Sequence, residues 1–317
     1  MQIMQGNKPV TLPDFFIVGA AKSATTSLYA LLKQHPEIFL PPRKELYTFA
    51  YDGKTPVFTL ENGSTRPPVG CTWEEYYSMY NKCPDTSIAG DTSSWYLYYY
   101  KEVIPTLRKM YGDRASEIKI IIVLRHPVDR AWSHYTMHYG QGTISLPFSE
   151  AIKQGGFHEK VTASGSNIYP GYDYIGFGMY GRQVEAFLDA FPNTHIVSFG
   201  DFCKDNKKTV DGILRFLGLE PVEHMKSEKQ LNISGEPKSR VAYWVTGFIY
   251  RPNKLKALFR RLVPLSIRDR LKSEASRFLF KKLKLSETDR ELLKEIYSDD
   301  IQYLQNVLKR QDIPFSF

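Results

Sequence analysis

Residues 13–32 read PDFFIVGAAKSATTSLYALL. The apolar run Phe15–Val18 is rich in residues that favour strands, and its length suits a short buried strand. Small and polar residues follow over 19–26, and leucines spaced three and four positions apart then give an apolar face to a predicted helix over 27–34. The stretch therefore predicts a strand, a tight loop and a helix in immediate succession.

This arrangement is typical of a phosphate cradle, because the N–H groups of the loop and the positive end of the helix dipole face the same anion. Lys22 adds a mobile positive charge, and the hydroxyls of residues 25–27 add hydrogen-bond donors. A Walker A loop carries its lysine at the end, whereas Lys22 comes only three residues after Gly19. The loop is thus an anion loop of another type. The alternative is a plain strand-to-helix turn with a surface lysine.

The chain has 317 residues, 42% of them apolar and 24% charged, which is the ordinary balance of a folded globular protein. Its net charge of +8 indicates a well-solvated basic surface or an attraction for polyanions. The basic residues form no nucleic-acid-binding pattern, and no apolar run is long enough to span a bilayer. Three cysteines without metal spacing indicate reduced thiols. We therefore expect a cytoplasmic protein that binds neither nucleic acid nor membrane, and its oligomeric state stays open.

Strands and helices alternate along the chain, which predicts an α/β fold with a P-loop-like parallel sheet and helices on both faces. Predicted strands are 15–18, 119–124, 195–199 and one that begins at Ile88 and enters the polar turn 91–94. Predicted helices are 27–34, 102–111, 128–139, 148–153, 180–190 and 207–217.

The domain organisation follows from the same patterns. We expect a loose arm over residues 1–12 and one α/β domain over 13–317. Residues 140–175 hold many glycines and serines and predict a long loop over a site. Only helix is predicted from residue 241 onward, as a C-terminal extension (241–317) that packs on the domain.

A second candidate anion site lies at the carboxyl end of the predicted central strand, Lys119–Leu124. Arg125 follows this strand, and Ser133 comes eight residues later in the next helix. Ligands of open α/β sheets bind at this edge, where a guanidinium fork and a hydroxyl can grip one phosphate. The alternative is a structural arginine paired with an acid such as Asp129. The first loop and this strand end thus offer separate sites for two phosphate groups.

Two segments resemble the motifs of sulfotransferases that use 3′-phosphoadenosine 5′-phosphosulfate (PAPS). Residues 18–26, VGAAKSATT, are similar to the loop that binds the 5′-phosphosulfate. Residues 124–135, LRHPVDRAWSHY, are similar to the motif that binds the 3′-phosphate. The pair Lys44-Glu45 and the segments 178–180 and 231–240 resemble elements of the heparan sulfate sulfotransferase branch. The matches follow the family order.

The resemblance implies transfer of a sulfuryl group from PAPS, without a metal ion, to an acceptor hydroxyl or amine. It implies Glu45 as the general base, with Lys22 and Lys44 as the other catalytic residues. The donor-binding residues that it implies are Lys22, Ser23, Ala24, Thr25, Thr26, Ser27, Arg125, Ser133, Tyr180, Lys238, Ser239 and Arg240.

Departures from the heparan branch fall on the acceptor side. Leu46 and Tyr47 stand where that branch often has Pro and His, and Asp91-Thr92 stands where many members have an acid followed by a lysine. We therefore expect a soluble member of bacterial type that acts on a small molecule, a natural product or a carbohydrate.

Other residues have two interpretations. Asp91 is either a second acceptor-side carboxylate or the cap of a turn. His134 and His138 share a helix face, but no third metal ligand is apparent, so we interpret them as structural. The tyrosine-rich run 96–100 belongs either to the acceptor pocket or to the core.

Two rival functions remain at this point. One is a P-loop kinase or NTPase, which needs an aspartate at the end of a second strand to hold Mg²⁺. The other is a non-catalytic module whose basic surface binds an acidic polymer.

Overall fold

A computed structural model gives the fold over residues 1–5, 8–60, 65–153, 168–223, 236–237, 280–281 and 283–317. Its strands, in chain order, are β1 (Gln2–Gln5), β2 (Lys8–Thr11), β3 (Phe15–Gly19), β4 (Ile38–Phe39), β5 (Ile88–Thr92), β6 (Lys119–Leu124), β7 (Thr194–Ser198), β8 (Glu236–Pro237) and β9 (Phe280–Lys281). Five of them form one parallel sheet with the order β4-β5-β3-β6-β7.

The helices alternate with these strands. They are α1 (Thr25–Leu32), α2 (Thr48–Tyr51), α3 (Trp73–Tyr80), α4 (Tyr100–Tyr111), α5 (Pro127–Gly140), α6 (Phe148–Lys153), α7 (Tyr180–Ala190), α8 (Phe199–Lys204), α9 (Asn206–Leu217) and α10 (Glu287–Arg310). Short 3₁₀ turns at 112–117, 170–172 and 176–178 complete the described structure. The predicted α/β class with a parallel sheet is confirmed, and the predicted bounds of β6, α6 and α7 match those observed.

The sheet is buried on both faces, in two apolar clusters. Successive side chains of each strand point to opposite faces, so each strand contributes to both clusters. In β3, Phe16 and Val18 join the larger apolar cluster, which contains α4, α5, α7 and α10. Phe15 and Ile17 join the smaller cluster, which contains α1 and α9. A central parallel strand is covered on both faces, so it requires apolar residues at consecutive positions.

The strand order places two loops side by side. From β3 the chain first builds β4 and β5 on one side of the sheet and then crosses to form β6 on the other side of β3. The carboxyl ends of the neighbouring strands β3 and β6 therefore form a topological switch point, where open α/β sheets bind their ligands. The predicted Lys22 loop and Arg125 both lie at this point.

The structure differs from prediction at both ends of the chain. Residues 1–12, for which we expected a loose arm, contain the antiparallel pair β1–β2, and Val10 and Leu12 are buried against the domain. The prediction of only helix beyond residue 240 is wrong for β9, which pairs antiparallel with β8. A ladder of two residues leaves no periodicity in the sequence that would reveal it. The helix α10 agrees with the predicted extension.

Candidate active site

The loop after β3 turns tightly because two residues adopt left-handed backbone conformations. Lys22 and Ala24 have φ angles of 72° and 61°, and the helix α1 begins directly after them at Thr25. The N–H of Ala20 donates to Val123 of β6 at 2.8 Å, which ties the loop to the neighbouring strand. A Cβ at Gly19 would lie 2.6 Å from the Cβ of Leu97, so this close approach requires glycine. The predicted strand, loop and helix are therefore present.

Lys22 lies inside this loop with its ammonium 3.3 Å from the sulfur of Met137. Its pKa falls from 10.5 to about 8, mainly because the group is buried and also because Arg125, Lys44 and Arg130 are close. A buried ammonium beside three other cations favours an anionic ligand, since an anion would restore the lost stabilisation of the charge. Such a site has the charge pattern of a polyanion-binding pocket.

Arg125 follows β6 and reaches the same loop. Its Nη1 donates to the carbonyl oxygen of Lys22 at 3.2 Å, and its guanidinium lies 4.7 Å from the centre of the Phe199 ring. Burial lowers the pKa of Arg125. Asp129, the acid of the alternative interpretation, lies 3.5 Å from Arg290 of α10 and forms its ion pair there. The arginine therefore lies at the switch point, in contact with the loop.

Three further predicted donor-site residues lie on the elements that follow the sheet strands. Ser133 is half-buried on the second turn of α5. Tyr180 begins α7 and is fully buried, and its hydroxyl donates to the carbonyl oxygen of Arg125 at 3.1 Å. Ser23 is also buried, in the turn before α1. The predicted residues Lys238, Ser239 and Arg240 lie outside the described part of the chain.

Lys44 and Glu45, which the family resemblance predicts as a catalytic pair, lie against the loop. The Lys44 ammonium donates to Oγ1 of Thr26 at 2.7 Å and to Oε1 of Glu45 at 3.0 Å. Both side chains keep about a quarter of their surface exposed, at 25% and 23%. Lys44 thus links the start of α1 to a carboxylate that a bound molecule can reach.

Sequence reasoning missed Ser94 as a site residue. Its N–H and its hydroxyl both donate to the Glu45 carboxylate. The available signal was the polar run 92–94 at the carboxyl end of a parallel strand, which is the ligand-binding edge of such a sheet. Ser94 and Lys44 therefore both hold the Glu45 carboxylate.

Asp91 is neither an acceptor-side carboxylate nor the cap of a turn. It is fully buried, and its carboxylate accepts hydrogen bonds from the hydroxyls of Ser93 at 2.7 Å, Tyr76 at 3.0 Å and Tyr96 at 3.1 Å. Burial raises its pKa from 3.8 to about 6, although the three hydroxyls oppose that change. The residue lies beneath the Glu45 segment.

Arg130 is a second residue that sequence reasoning missed. It is fully buried on α5, where it lies 3.1 Å from Nδ1 of His134 and donates to the carbonyl oxygen of Tyr174. Its charge lowers the pKa of Lys22. It therefore adds positive potential beneath the loop from a position that faces no solvent.

The two histidines of α5, His134 and His138, are buried. Burial lowers the pKa of His134 well below its usual value and that of His138 to about 3, so both rings are neutral. Within the described residues, no three His, Cys, Asp or Glu side chains are grouped so that they could hold a metal ion.

Aromatic side chains pack beside Glu45. The ring centre of Trp95 lies 5.0 Å from that of Tyr47, 5.5 Å from that of Tyr169 and 5.3 Å from that of Phe177. Tyr96, Tyr98 and Tyr99 are buried, so most of the tyrosine-rich run belongs to the core.

Comparison with known proteins identifies the family. A family model described as "Sulfotransferase domain" matches residues 12–247, a range that contains the Lys22 loop, Arg125 and the Glu45 segment. The chain belongs to the sulfotransferase family. In this chain Arg125 follows β6, at the position where a P-loop kinase would carry the aspartate that holds Mg²⁺.

Individual relatives are distant. Carbohydrate sulfotransferase 15 of Mus musculus is 26% identical over 267 residues, which cover 69% of this chain and 45% of the relative. The bifunctional heparan sulfate N-deacetylase/N-sulfotransferase 3 of Homo sapiens is 27% identical over 217 residues, which cover 66% of this chain and 23% of the relative. This sulfotransferase-family chain thus spans less than half the length of these two curated relatives.

A solved structure agrees with the fold. The crystal structure of a sulfotransferase from Alicyclobacillus acidocaldarius superimposes with a TM-score of 0.58 at 28% identity, covering 82% of this chain and 99% of that one. Within the described residues of this chain, no helix is both long enough and apolar enough to cross a bilayer.

Proposed function

We propose that the chain is a PAPS-dependent sulfotransferase that transfers a sulfuryl group to a hydroxyl or amine of a small acceptor, a natural product or a carbohydrate. The observation that carries the proposal is that Lys22 lies close to Arg125, Lys44 and Arg130, and that burial, followed by the charges of these three neighbours, lowers the pKa of Lys22. The cluster of these four cations lies at the switch point of a sulfotransferase-family sheet. PAPS carries phosphate groups at the 3′ and 5′ positions of its ribose, and it supplies the missing negative charge.

The two halves of the cluster suit the two ends of the donor. Lys22 and the N–H groups at the start of α1 hold the 5′-phosphosulfate, where the helix dipole favours an anion. Thr25, Thr26 and Ser27 add hydroxyl donors in the first turn of α1. Arg125 and Ser133 hold the 3′-phosphate. The Tyr180 hydroxyl supports Arg125 by donating to its backbone carbonyl oxygen. The family resemblance also assigns Lys238, Ser239 and Arg240 to the donor, and these residues lie outside the described part of the chain.

The chain's own residues supply positioning and charge, which is what a loose group-transfer transition state requires. Glu45 takes the proton of the acceptor hydroxyl or amine as the new bond to sulfur forms. The bond between sulfur and the bridging oxygen breaks at the same time, and the electron pair stays on the 5′-phosphate. Lys22 and the loop N–H groups stabilise that added charge. Lys44 donates to both Thr26 and Glu45, so it links the donor site to the base.

The deciding experiment incubates the full chain with labelled PAPS and an extract of its source cells. Mass spectrometry then searches for a molecule that has gained one sulfonate, and the release of adenosine 3′,5′-bisphosphate from PAPS is followed in parallel. We expect both products, and we expect Glu45→Gln to slow their formation about a hundredfold or more, leaving a measurable residual rate, while calorimetry still detects binding of the bisphosphate.

Three results would contradict the proposal. Turnover of ATP that depends on Mg²⁺ would favour a kinase or NTPase. Salt-dependent binding of an acidic polymer without any PAPS turnover would favour a non-catalytic module. Near wild-type turnover by Glu45→Gln would remove Glu45 as the base.

A further inference from the structure

The most deeply buried carboxylate near the site is one that the proposed mechanism does not use. Asp91 is the last but one residue of β5, below Glu45, with no exposed surface, and it accepts hydrogen bonds from the hydroxyls of Ser93, Tyr76 and Tyr96. A carboxylate held in such a place by neutral hydroxyls alone costs stability, and groups of this kind cluster at functional sites.

Two of these hydroxyls connect Asp91 to the segment that carries Glu45. The Ser93 oxygen accepts the N–H of Leu46 at 3.1 Å and that of Tyr47 at 3.4 Å. The Tyr96 oxygen accepts the N–H of Phe49 at 3.4 Å. Each hydroxyl therefore donates to Asp91 and accepts from the backbone just after Glu45.

The ionised carboxylate sets the direction of both relays. A hydroxyl has one proton, and a carboxylate can only accept. While Asp91 is ionised, the protons of Ser93 and Tyr96 point at it, and their lone pairs face the backbone N–H groups of residues 46, 47 and 49. If either hydroxyl proton pointed at these N–H groups instead, a buried N–H would lose its acceptor, at the usual cost of an unsatisfied donor.

The backbone that these relays hold is strained. Glu45 and Tyr47 have φ angles of 59° and 53°, in the left-handed region that side chains with a Cβ rarely adopt. Such conformations persist only where the surroundings impose them. The N–H of Glu45 donates to the carbonyl oxygen of Thr92 at 2.8 Å, so the end of β5 holds this turn from both sides of Leu46.

We propose that Asp91 is a positioning residue for Glu45, acting through the Ser93 and Tyr96 hydroxyls to hold the turn that aims the Glu45 carboxylate. The inference rests on the proposed function, in which Glu45 is the base. Asp91 itself touches neither donor nor acceptor. Its removal should therefore slow turnover and leave the donor site intact.

The test compares Asp91→Asn with Tyr80→Phe in the full chain. In the asparagine variant both tyrosines keep one acceptor oxygen, but an NH₂ group faces Ser93 and reverses that relay. Tyr80→Phe is the matched control, because the Tyr80 hydroxyl donates to the carbonyl oxygen of Gly90 at 2.9 Å and contacts Tyr76 in the same buried cluster, but takes no part in the two relays to the Glu45 segment. The measurements are release of adenosine 3′,5′-bisphosphate from PAPS in the presence of the cell extract, and calorimetric binding of the bisphosphate.

We expect Asp91→Asn to slow release about tenfold or more and to bind the bisphosphate within about twofold of the wild type. Tyr80→Phe should stay within about twofold of the wild type in both measurements. In the double variant with Glu45→Gln, the Asp91 substitution should cause no further slowing, because residues that act through one group are not additive. A merely structural role would give additive losses.

Two results would overturn the inference. One is wild-type release by Asp91→Asn, and the other is a full additional loss in the double variant. If Asp91→Asn does not fold, Ser93→Ala replaces it, since it breaks one relay and keeps the carboxylate, and wild-type release would again be decisive. Wild-type release by Glu45→Gln would instead remove the base assignment, so the two failures are distinguishable.

Discussion

Ser94 holds the Glu45 carboxylate from both its N–H, which donates to Oε2 at 2.9 Å, and its hydroxyl, which lies 3.0 Å from Oε1 and 3.1 Å from Oε2. The two residues are 49 positions apart in the chain. Together with Lys44 on Oε1, these bonds fix the carboxylate plane beside the loop. A base that is held in this way loses little freedom when an acceptor binds, which favours proton transfer.

Replacing Ser94 by alanine removes the hydroxyl and keeps the N–H. We expect turnover of PAPS to fall about tenfold, because a hydrogen bond to a charged group contributes about 1.5 kcal/mol. Affinity for adenosine 3′,5′-bisphosphate should not change. The control is Ser78→Ala, which removes an exposed helix hydroxyl that contacts only the Glu75 carbonyl oxygen. Equal turnover by both variants would remove the role of Ser94.

The lowered pKa of Lys22 predicts a pH dependence of donor binding. An anionic ligand binds the protonated lysine more tightly, so above a pKa of about 8 the free protein must take up a proton on binding. Affinity for the bisphosphate should therefore be nearly flat below pH 8 in respect of this group, and about tenfold weaker at pH 9 than at pH 7. Calorimetry in buffers of different ionisation enthalpy measures both the affinity and the proton uptake.

Lys22→Arg is the matched control for this prediction. A guanidinium stays protonated throughout the range, so the variant should bind with the same affinity at pH 7 and pH 9. A pH-independent affinity in the wild type would show that Lys22 does not contact the ligand or is already fully solvated.

The Arg125 assignment predicts a loss that depends on the 3′-phosphate. We expect Arg125→Ala to weaken binding of adenosine 3′,5′-bisphosphate by about 2 kcal/mol, the scale of a charge-assisted hydrogen bond. Binding of adenosine 5′-monophosphate, which lacks that phosphate, should change far less. Ser133→Ala should have a smaller effect of the same kind. If both nucleotides weaken equally, Arg125 instead supports the loop through the Lys22 carbonyl oxygen.

The C-terminal helix supports the donor site through a cap. Both carboxylate oxygens of Asp300 accept the N–H of Gly181, at 3.0 and 3.1 Å, in the first turn of α7. An acid at this position stabilises a helix start. The neighbouring Tyr180 holds Arg125. Asp300→Ala should therefore lower the free energy of unfolding by about 1 kcal/mol and weaken binding of the bisphosphate several-fold.

Chemical denaturation and calorimetry measure these two effects. The matched control is Asp299→Ala, which removes the exposed carboxylate next in the chain and should change neither quantity by much. A stability loss without any change in binding would separate the cap from the donor site.

The sequence predicted the fold and one half of the site because those features are local. These features are the leucine spacing of α1, the apolar run of β6 and the small residues around Lys22. Each depends on residues within a few positions of one another, so the sequence pattern indicates it directly. Lys44 and Glu45 were predicted only through the family resemblance. Ser94 and Arg130 were missed, since a serine after a strand and an arginine on a helix have the same pattern whether they face solvent or a site.

The sequence alone thus determined where the chain forms a strand, a loop and a helix around Lys22, and that Arg125 ends a central strand. Only the tertiary structure decided that β3 and β6 are neighbours, that Ser94 contacts Glu45, and that Asp91 is buried beneath the same turn. The physical reason is range: helix and strand formation depend on neighbours along the chain, whereas burial and contact depend on which distant strands pair.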